Sequence, residues 1–303
     1  MSLIVTGTIS IDTVYTPEGG HREAVLGGSC AYFAAAASHY GPVRLVAAVG
    51  DDFPEALDGT LAKFTNIDAS GLERRSGSKT FRWGGKYMED VNQRETLFTE
   101  LGVLEEAPPP VPEHFKDSAY LFLANSHPGV QMGMLESLPN VELSVVDTMD
   151  LWINVAREDL ARLLARVDGL VLNNEEAELY TGKRNPITAG KKILEEGPTF
   201  VVVKKGEHGA LLIHRDGIAA LPAFPAEEVV DPTGAGDTFA GGMMAHIAKT
   251  GDTSFEGIRA AMAHGTVIAS FTIETFSLDR LSELNQDRIQ ARYEEFARMT
   301  RIG

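Results

Sequence analysis

Cysteine is nearly absent. Cys30 is the one cysteine in 303 residues, so no internal disulfide can form and no paired-cysteine zinc site can be built. A reducing compartment is expected from this, with the cytoplasm as the default. Positive charge is scarce too. Lys and Arg total 27 against 43 Asp and Glu, a formal net charge of −16, and no Lys/Arg run exceeds two residues. Such a surface repels a phosphate backbone, so no nucleic-acid partner is expected. Nothing approaches the roughly 18 uninterrupted apolar residues of a membrane helix, so no membrane partner is expected either. The opening MSLIVTG carries no basic segment, and a secretory leader is not expected. The chain also lacks G-x-x-x-x-G-K-[ST] and H-E-x-x-H, and Gly7-Thr8-Ile9-Ser10 stands where a nicotinamide-binding turn would need G-x-G-x-x-G. A P-loop, a zincin centre and a Rossmann dehydrogenase are thereby disfavoured.

What is present is an ordinary globular composition, 44% hydrophobic and 23% charged, in which short β-branched runs alternate with helical stretches. The runs lie at residues 3–5, 43–49, 120–123, 143–146, 170–172, 200–203 and 210–213. Helical patterns cover 29–39, 158–166, 187–195, 237–249 and 254–270. Continuous Val/Ile/Leu strands are those of a parallel sheet covered by helices on both faces, so the expected fold is α/β and doubly wound. One region departs from this. Residues 78–101 alternate polar with apolar or aromatic side chains around Gly84-Gly85 and a Glu89-Asp90-Val91-Asn92 turn, and read as an antiparallel ribbon. Carrying Phe81, Trp83 and Tyr87, that ribbon serves either as a lid or as an edge extension packed on the core. The proline-rich Ala107–Pro112 then forms a stiff connector back to the core.

The most informative segment is DPTGAGDTFAGG, residues 231–242. It is expected to follow a strand ending at Val229-Val230 and to open a long helix. Gly234 and Gly236 let backbone N–H groups converge, and the helix N-terminus adds its free N–H groups and positive dipole end, which makes an anion site. Asp237 then stands beside the anion. It is either a helix cap or a base that receives a hydroxyl proton during phosphoryl transfer, and the full run of residues favours the base.

This segment resembles the second signature of the ribokinase-like (PfkB) carbohydrate kinase family. Gly27-Gly28, the Ala-rich stretch 31–37, Gly41 and Val49-Gly50-Asp51-Asp52 resemble its first signature, and 7–12 its opening strand and turn. Asn173-Asn174-Glu175-Glu176 matches its N-x-x-E motif, and VVVKKGEHG (201–209) its nucleotide-contacting strand and turn. The resemblance implies one ribokinase-like domain over 1–303, with lid elements at about 12–26 and 78–102. It implies a kinase moving the γ-phosphate of ATP to a hydroxymethyl group of a sugar or sugar-containing molecule. A nucleoside kinase of adenosine-like specificity, or a catalytically silent sugar- or nucleoside-binding regulator, is the alternative. Carried over, Asp237 is the base; Gly234, Ala235 and Gly236 form the anion hole; Asp12, with Gly27 and Gly28, holds the sugar. Asn173 and Glu176 organise Mg²⁺ largely through water. Asp231 and Thr233 lie at a monovalent-cation site for K⁺, and Thr233, Gly206 and Gly209 lie along ATP. A homodimer through the lid is a further expectation.

Other assignments rest on position. Lys204 and Lys205 end a strand within reach of phosphates, although a solvated pair is the plainer reading. Tyr32 replaces the sugar-binding asparagine of many relatives; with Phe81 and Trp83 it offers aromatic surface to a nucleoside or substituted sugar, unless it turns into the core. Asn125, Ser126, Asp147 and Thr148 follow strands at the ligand-bearing edge of such sheets. His264 and Phe276 are candidates to flank adenine, against a structural role for a lone histidine on an Ala-rich helix.

Overall fold

The Val-, Ile- and Leu-rich runs form strands because their alternate side chains find apolar cover on opposite faces. The computed structural model describes residues 2–17, 20–89 and 93–301. Its strands are β1 (Leu3–Thr6), β2 (Ser10–Tyr15), β3 (His21–Gly27), β4 (Val43–Gly50), β5 (Ile67–Arg75), β6 (Phe81–Tyr87), β7 (Arg94–Glu100), β8 (Tyr120–Leu123), β9 (Leu143–Asp147), β10 (Gly169–Asn173), β11 (Phe200–Lys204), β12 (Ala210–His214) and β13 (Gly217–Leu221). Among the described residues nine of these make one sheet, ordered β13-β12-β11-β10-β9-β8-β1-β4-β5. From β11 to β5 every pair is parallel, while β12 and β13 close the far edge antiparallel.

The period of two is plain in the core. Leu3, Val5, Phe122, Val145, Val171 and Val202 pack under the helices Ser29–Ser38, Ala235–Thr250 and Phe255–Thr272. Ile4, Leu121, Val146, Leu170, Val201 and Val203 face Leu160, Leu163, Ala177 and Ile193 on the other side. Each expected strand and helix forms within one or two residues of its expected bounds, except the strand before the 231–242 segment. Residues 222–234 hold no strand. Pro222, Pro225 and Pro232 withhold ladder donors, and the Val230 N–H goes instead to Ile273 O at 2.8 Å.

The 78–101 ribbon forms as β6 and β7, and a second sheet of order β3-β2-β6-β7 contains it. Its outer pairs are antiparallel, but β2 and β6 run parallel. They follow β1 and β5, whose C-terminal ends lie on one edge of the large sheet, so both strands leave in the same sense. The small sheet therefore stands over that edge. Residues 18–19 of the expected first lid element, and 90–92 of the expected 89–92 turn, lie outside the described residues.

The Ser29–Ser38 helix is buried along its whole length, and Phe33 stacks on Phe122 with centroids 4.5 Å apart. Phe33→Ala is expected to cost about 3–5 kcal/mol of unfolding free energy, measured by urea titration. A loss under about 1 kcal/mol would show that this helix is not anchored through Phe33.

Candidate active site

The strand order reverses between β8 and β1, and open α/β sheets bind ligands in the crevice at such a point. Here β1 ends at Thr6, and its continuation locks the next helix in place. Thr8 and Ser29 exchange hydrogen bonds, Thr8 N to Ser29 Oγ at 3.2 Å and Ser29 N to Thr8 Oγ1 at 3.1 Å. Asp12, on β2, turns its carboxylate onto Gly27: a Cβ there would stand 1.9 Å from Asp12 Oδ2. Only glycine leaves that space. Asp12 is buried, and its Oδ1 has no hydrogen-bond partner. Burial pushes its pKa up to about 7, and the carboxylates of Asp231 and Asp237 push the same way.

Beside Asp12 lies the 231–237 loop. Asp231 is buried, accepting from Thr233 N at 2.9 Å and from Ser277 N at 3.4 Å. Gly234 is the helix N-cap with φ +73°, and a Cβ on it would strike the Tyr32 ring at 2.2 Å. Tyr32 is thus the floor of the loop and buried, yet its hydroxyl has no partner. The ring is turned into the core beneath the loop, and its phenol end is left without a partner. No side chain caps the Ala235–Thr250 helix, so its first turn offers N–H groups to an incoming anion. The N-cap position belongs to Gly234, and Asp237 sits in the first turn of the helix.

Three more elements converge on the loop. Lys204, ending β11, places Nζ 2.6 Å from where a Gly236 Cβ would be, so this lysine is turned into the site. Lys205 contributes a backbone bond to Gly209 O. Asn173 caps the helix Asn174–Thr181 in a reciprocal box, its Oδ1 accepting from Glu176 N at 2.7 Å while Glu176 Oε2 accepts from Asn173 N at 2.7 Å. The N-x-x-E spacing is therefore first a capping box, which fixes Glu176 and leaves its other oxygen for a ligand. Asp147, ending β9, is buried with Oδ1 unpartnered.

The electrostatics are those of crowded acids. Burial raises Asp237 to about 6, with Glu176 adding to the rise and Lys204 and Arg94 opposing it. Burial likewise raises Asp147, Glu176 and Asp231. Sequence reasoning did not single out Arg94. It opens β7 opposite Tyr87, with its guanidinium 5.6 Å from the Trp83 ring centroid. Only the hairpin register brings it here. Trp83 itself pairs with Asp12 across β2 and β6, and Phe81 with Ser10.

Other expected site residues have structural neighbours of their own. Asn125 spends its amide on neighbours, accepting from Trp152 Nε1 at 2.9 Å and donating to Met149 Sδ at 3.1 Å. It orients those side chains. Gly206 and Gly209 have φ of +56° and +80° and build the β11–β12 turn. His264 is not beside the loop: it stacks between His246 and Tyr293, at 3.9 and 4.2 Å. His246 is nine residues beyond Asp237 on the same helix, about 13 Å along its axis. Phe276 packs under Arg22 of β3, 4.9 Å from its guanidinium. No helix of the described residues is long and apolar enough to cross a membrane.

The model of the pfkB family of carbohydrate kinases matches residues 2–283. A curated relative, the cytidine kinase of Thermococcus kodakarensis, is 32% identical over 252 residues, which span 81% of this chain and 88% of the relative. Among solved structures, a nucleoside kinase from Burkholderia thailandensis in complex with ADP and inosine superposes with TM-score 0.79 at 19% identity, covering 97% of this chain and 95% of that one. A ribokinase II from E. coli in complex with ATP and Mg²⁺ gives TM-score 0.76 at 19% identity over 97% and 100% of the two chains.

Asp237 should titrate near pH 6, as read by carboxyl ¹³C NMR with the signal assigned through Asp237→Asn. Lys204 favours the charged form, so Lys204→Met should move that titration upward. A midpoint in the ordinary range near 4, unmoved by the lysine, would contradict the arrangement described.

Proposed function

The chain belongs to the pfkB family of carbohydrate kinases, and from that premise we propose that it phosphorylates the 5′-hydroxymethyl group of a nucleoside. It is an ATP- and Mg²⁺-dependent phosphotransferase acting on an alcohol group of a sugar or nucleoside. The observation that carries the nucleoside reading is the register of β2 with β6. It sets Trp83 directly beside Asp12 on one face of the small sheet, so a sugar held at Asp12 brings its base alongside an indole. Base–aromatic stacking is worth about 1–3 kcal/mol, which a free sugar cannot recover. The cytidine kinase relative supports the same class.

In this reading Asp12 accepts hydrogen bonds from sugar hydroxyls, with Gly27 leaving room for them and Gly28 opening the helix beneath. Asp237 accepts the 5′-hydroxyl proton as the new O–P bond forms and the bond to ADP breaks. The N–H groups of the Gly234-Ala235-Gly236 turn and the Lys204 ammonium hold the charge that spreads over the transferring group. Bound Mg²⁺ neutralises nucleotide phosphate charge. The residues fit that ion: Glu176 has an oxygen outside its capping box, and no group of three His, Cys, Asp or Glu among the described residues forms a closed metal cage. An ion that keeps its waters needs no more.

Potassium is assigned to the Asp231–Thr233 loop, on the ground that Asp231 is a buried carboxylate with no cationic side chain paired to it among the described residues. Residues 1–303 are read as one domain with two lid elements, working in the cytoplasm. The lid is read as the dimer contact, because β7 is one of the two edge strands of its sheet and exposes Leu97 and Phe98.

A coupled ADP-release assay over cytidine, uridine, inosine, adenosine, ribose and fructose tests the proposal. At least one nucleoside should exceed ribose in kcat/KM by about tenfold to a hundredfold, following the stacking energy. A preference for a free sugar would reverse the assignment, and silence across the panel would revive the binding regulator. Replacing K⁺ by tetramethylammonium should slow turnover. Asp237→Asn should keep ADP binding while kcat drops about 10²- to 10⁴-fold; near-normal turnover would remove Asp237 as base.

A further inference from the structure

We propose that Arg292, on the C-terminal helix, is a positioning residue for the nucleotide: it holds the 222–234 segment where ATP is to lie and so sets nucleotide affinity. This rests on the kinase reading above, though not on which acceptor is used. The family match ends at residue 283, so the helix Gln286–Thr300 lies outside the matched span. The 222–234 segment joins the two parts read as nucleotide contacts. At its start the β11–β12 turn touches it, since a Cβ on Gly209 would stand 2.0 Å from Leu221 O and 2.6 Å from the Pro222 carbonyl carbon. At its end it becomes the Gly234 N-cap of the anion loop. A nucleotide reaching from that turn to that loop runs beside this segment. No ladder holds it: residues 222–229 make no backbone hydrogen bond among the described residues, and the first is Val230 N to Ile273 O. Residues 225–230 are exposed.

Two attachments remain, and one arginine reaches both. Phe224, the large apolar side chain of residues 222–228, packs against the core, with its ring centroid 6.4 Å from that of Phe296 on the C-terminal helix. The Arg292 guanidinium stands 5.0 Å from the Phe224 centroid and 3.5 Å from that of buried Phe271. It therefore ties the segment to the Phe255–Thr272 helix. Its Nη2 donates to Glu274 Oε1 at 2.6 Å and its Nη1 to Ser270 Oγ at 3.1 Å. Glu274 directly follows Ile273, whose carbonyl makes the second attachment, and it also pairs with Arg280 at 2.8 Å. A planar cation that stacks on rings while its N–H groups hold a carboxylate is a geometry that an ammonium cannot copy. Arg292 bonds to none of residues 231–237 among the described residues, so its effect on ATP passes through Phe224. A merely structural arginine, docking the C-terminal helix, would lower stability and leave nucleotide affinity alone.

The test compares wild type, Arg292→Ala, Arg292→Lys, Phe224→Leu and the Arg292→Ala/Phe224→Leu double variant, with the melting temperature of each. Calorimetric binding of ADP with Mg²⁺, which needs no acceptor, should weaken about threefold to thirtyfold in Arg292→Ala, the range of a desolvated cation–π contact. Phe224→Leu keeps apolar bulk and loses the ring face, so it should weaken binding to a similar extent. The double variant should be no worse than the worse single one, because both substitutions remove the same contact. Arg292→Lys should recover only part of the loss. With the best acceptor of the panel, the ATP KM should rise as the ADP dissociation constant does, while the acceptor KM stays within about twofold. Amide exchange should show ADP slowing residues 222–234 in wild type, and those residues exchanging faster in Arg292→Ala. Unchanged ADP affinity in folded Arg292→Ala, losses that simply add in the double variant, or no protection of 222–234 by ADP overturns the proposal while leaving the kinase assignment intact. Should Arg292→Ala not fold, Phe224→Leu decides by the same readings. A wild type that binds no ADP overturns both.

Discussion

Mutual repulsion among buried carboxylates is the constraint around which this molecule is arranged. Asp12, Asp147, Glu176, Asp231 and Asp237 arrive from four different segments and meet at one edge of the sheet, each with its pKa raised first by burial. Buried like charges hold together only when the surrounding structure leaves them no escape. The rigid nine-stranded sheet supplies that restraint, because Asp147 terminates β9 and Glu176 is fixed by the capping box that follows β10. The net charge of −16 is therefore no obstacle to an anionic cosubstrate. Under the proposed function phosphate is met by backbone N–H groups, Lys204 and a metal ion, none of which needs a positive surface.

The sheet was legible because both of its faces are buried. Once alternate residues of β1, β8 and β11 must be apolar in both directions, the strand has to read as an unbroken Val/Ile/Leu run. Two glycines were legible for a related reason: Gly27 and Gly234 stand where a Cβ would strike Asp12 and Tyr32, so local packing leaves its mark in the residue type. Strand bounds, the lid hairpin and the crowd at residues 231–237 all follow from such short-range rules.

What the sequence concealed depends on register and distance. Val229-Val230 looks like a strand end, but three prolines nearby keep the segment out of the ladder and its N–H turns to Ile273. His264 lies in the middle of the Phe255–Thr272 helix, where it stacks between His246 and Tyr293, a placement that only the packing of the helices decides. Asn125 is at a strand end, as expected of a ligand residue, and its amide already bonds Trp152 and Met149, contacts that the sequence gives no sign of. Arg94 is one arginine among many until the hairpin register sets it beside Tyr87. The parallel pairing of β2 with β6 joins residues about seventy positions apart, and no local pattern encodes it.

That long-range pairing also explains how two similar carboxylates can take different work. Burial draws Asp12 up to about 7 and Asp237 to about 6, and the two differ in the charges that stand beside them. A proposed base must be charged before its hydroxyl arrives, and Asp237 has Lys204 and Arg94 to keep it so. Asp12 has no such help from a cation; its neighbours Asp231 and Asp237 oppose its charge. Hydroxyl groups that donate to Asp12 favour its ionised form, so sugar binding and loss of that proton become one event. Under the proposed function, environment acting on the same side chain in two places separates the group read as holding hydroxyls from the group read as receiving a proton.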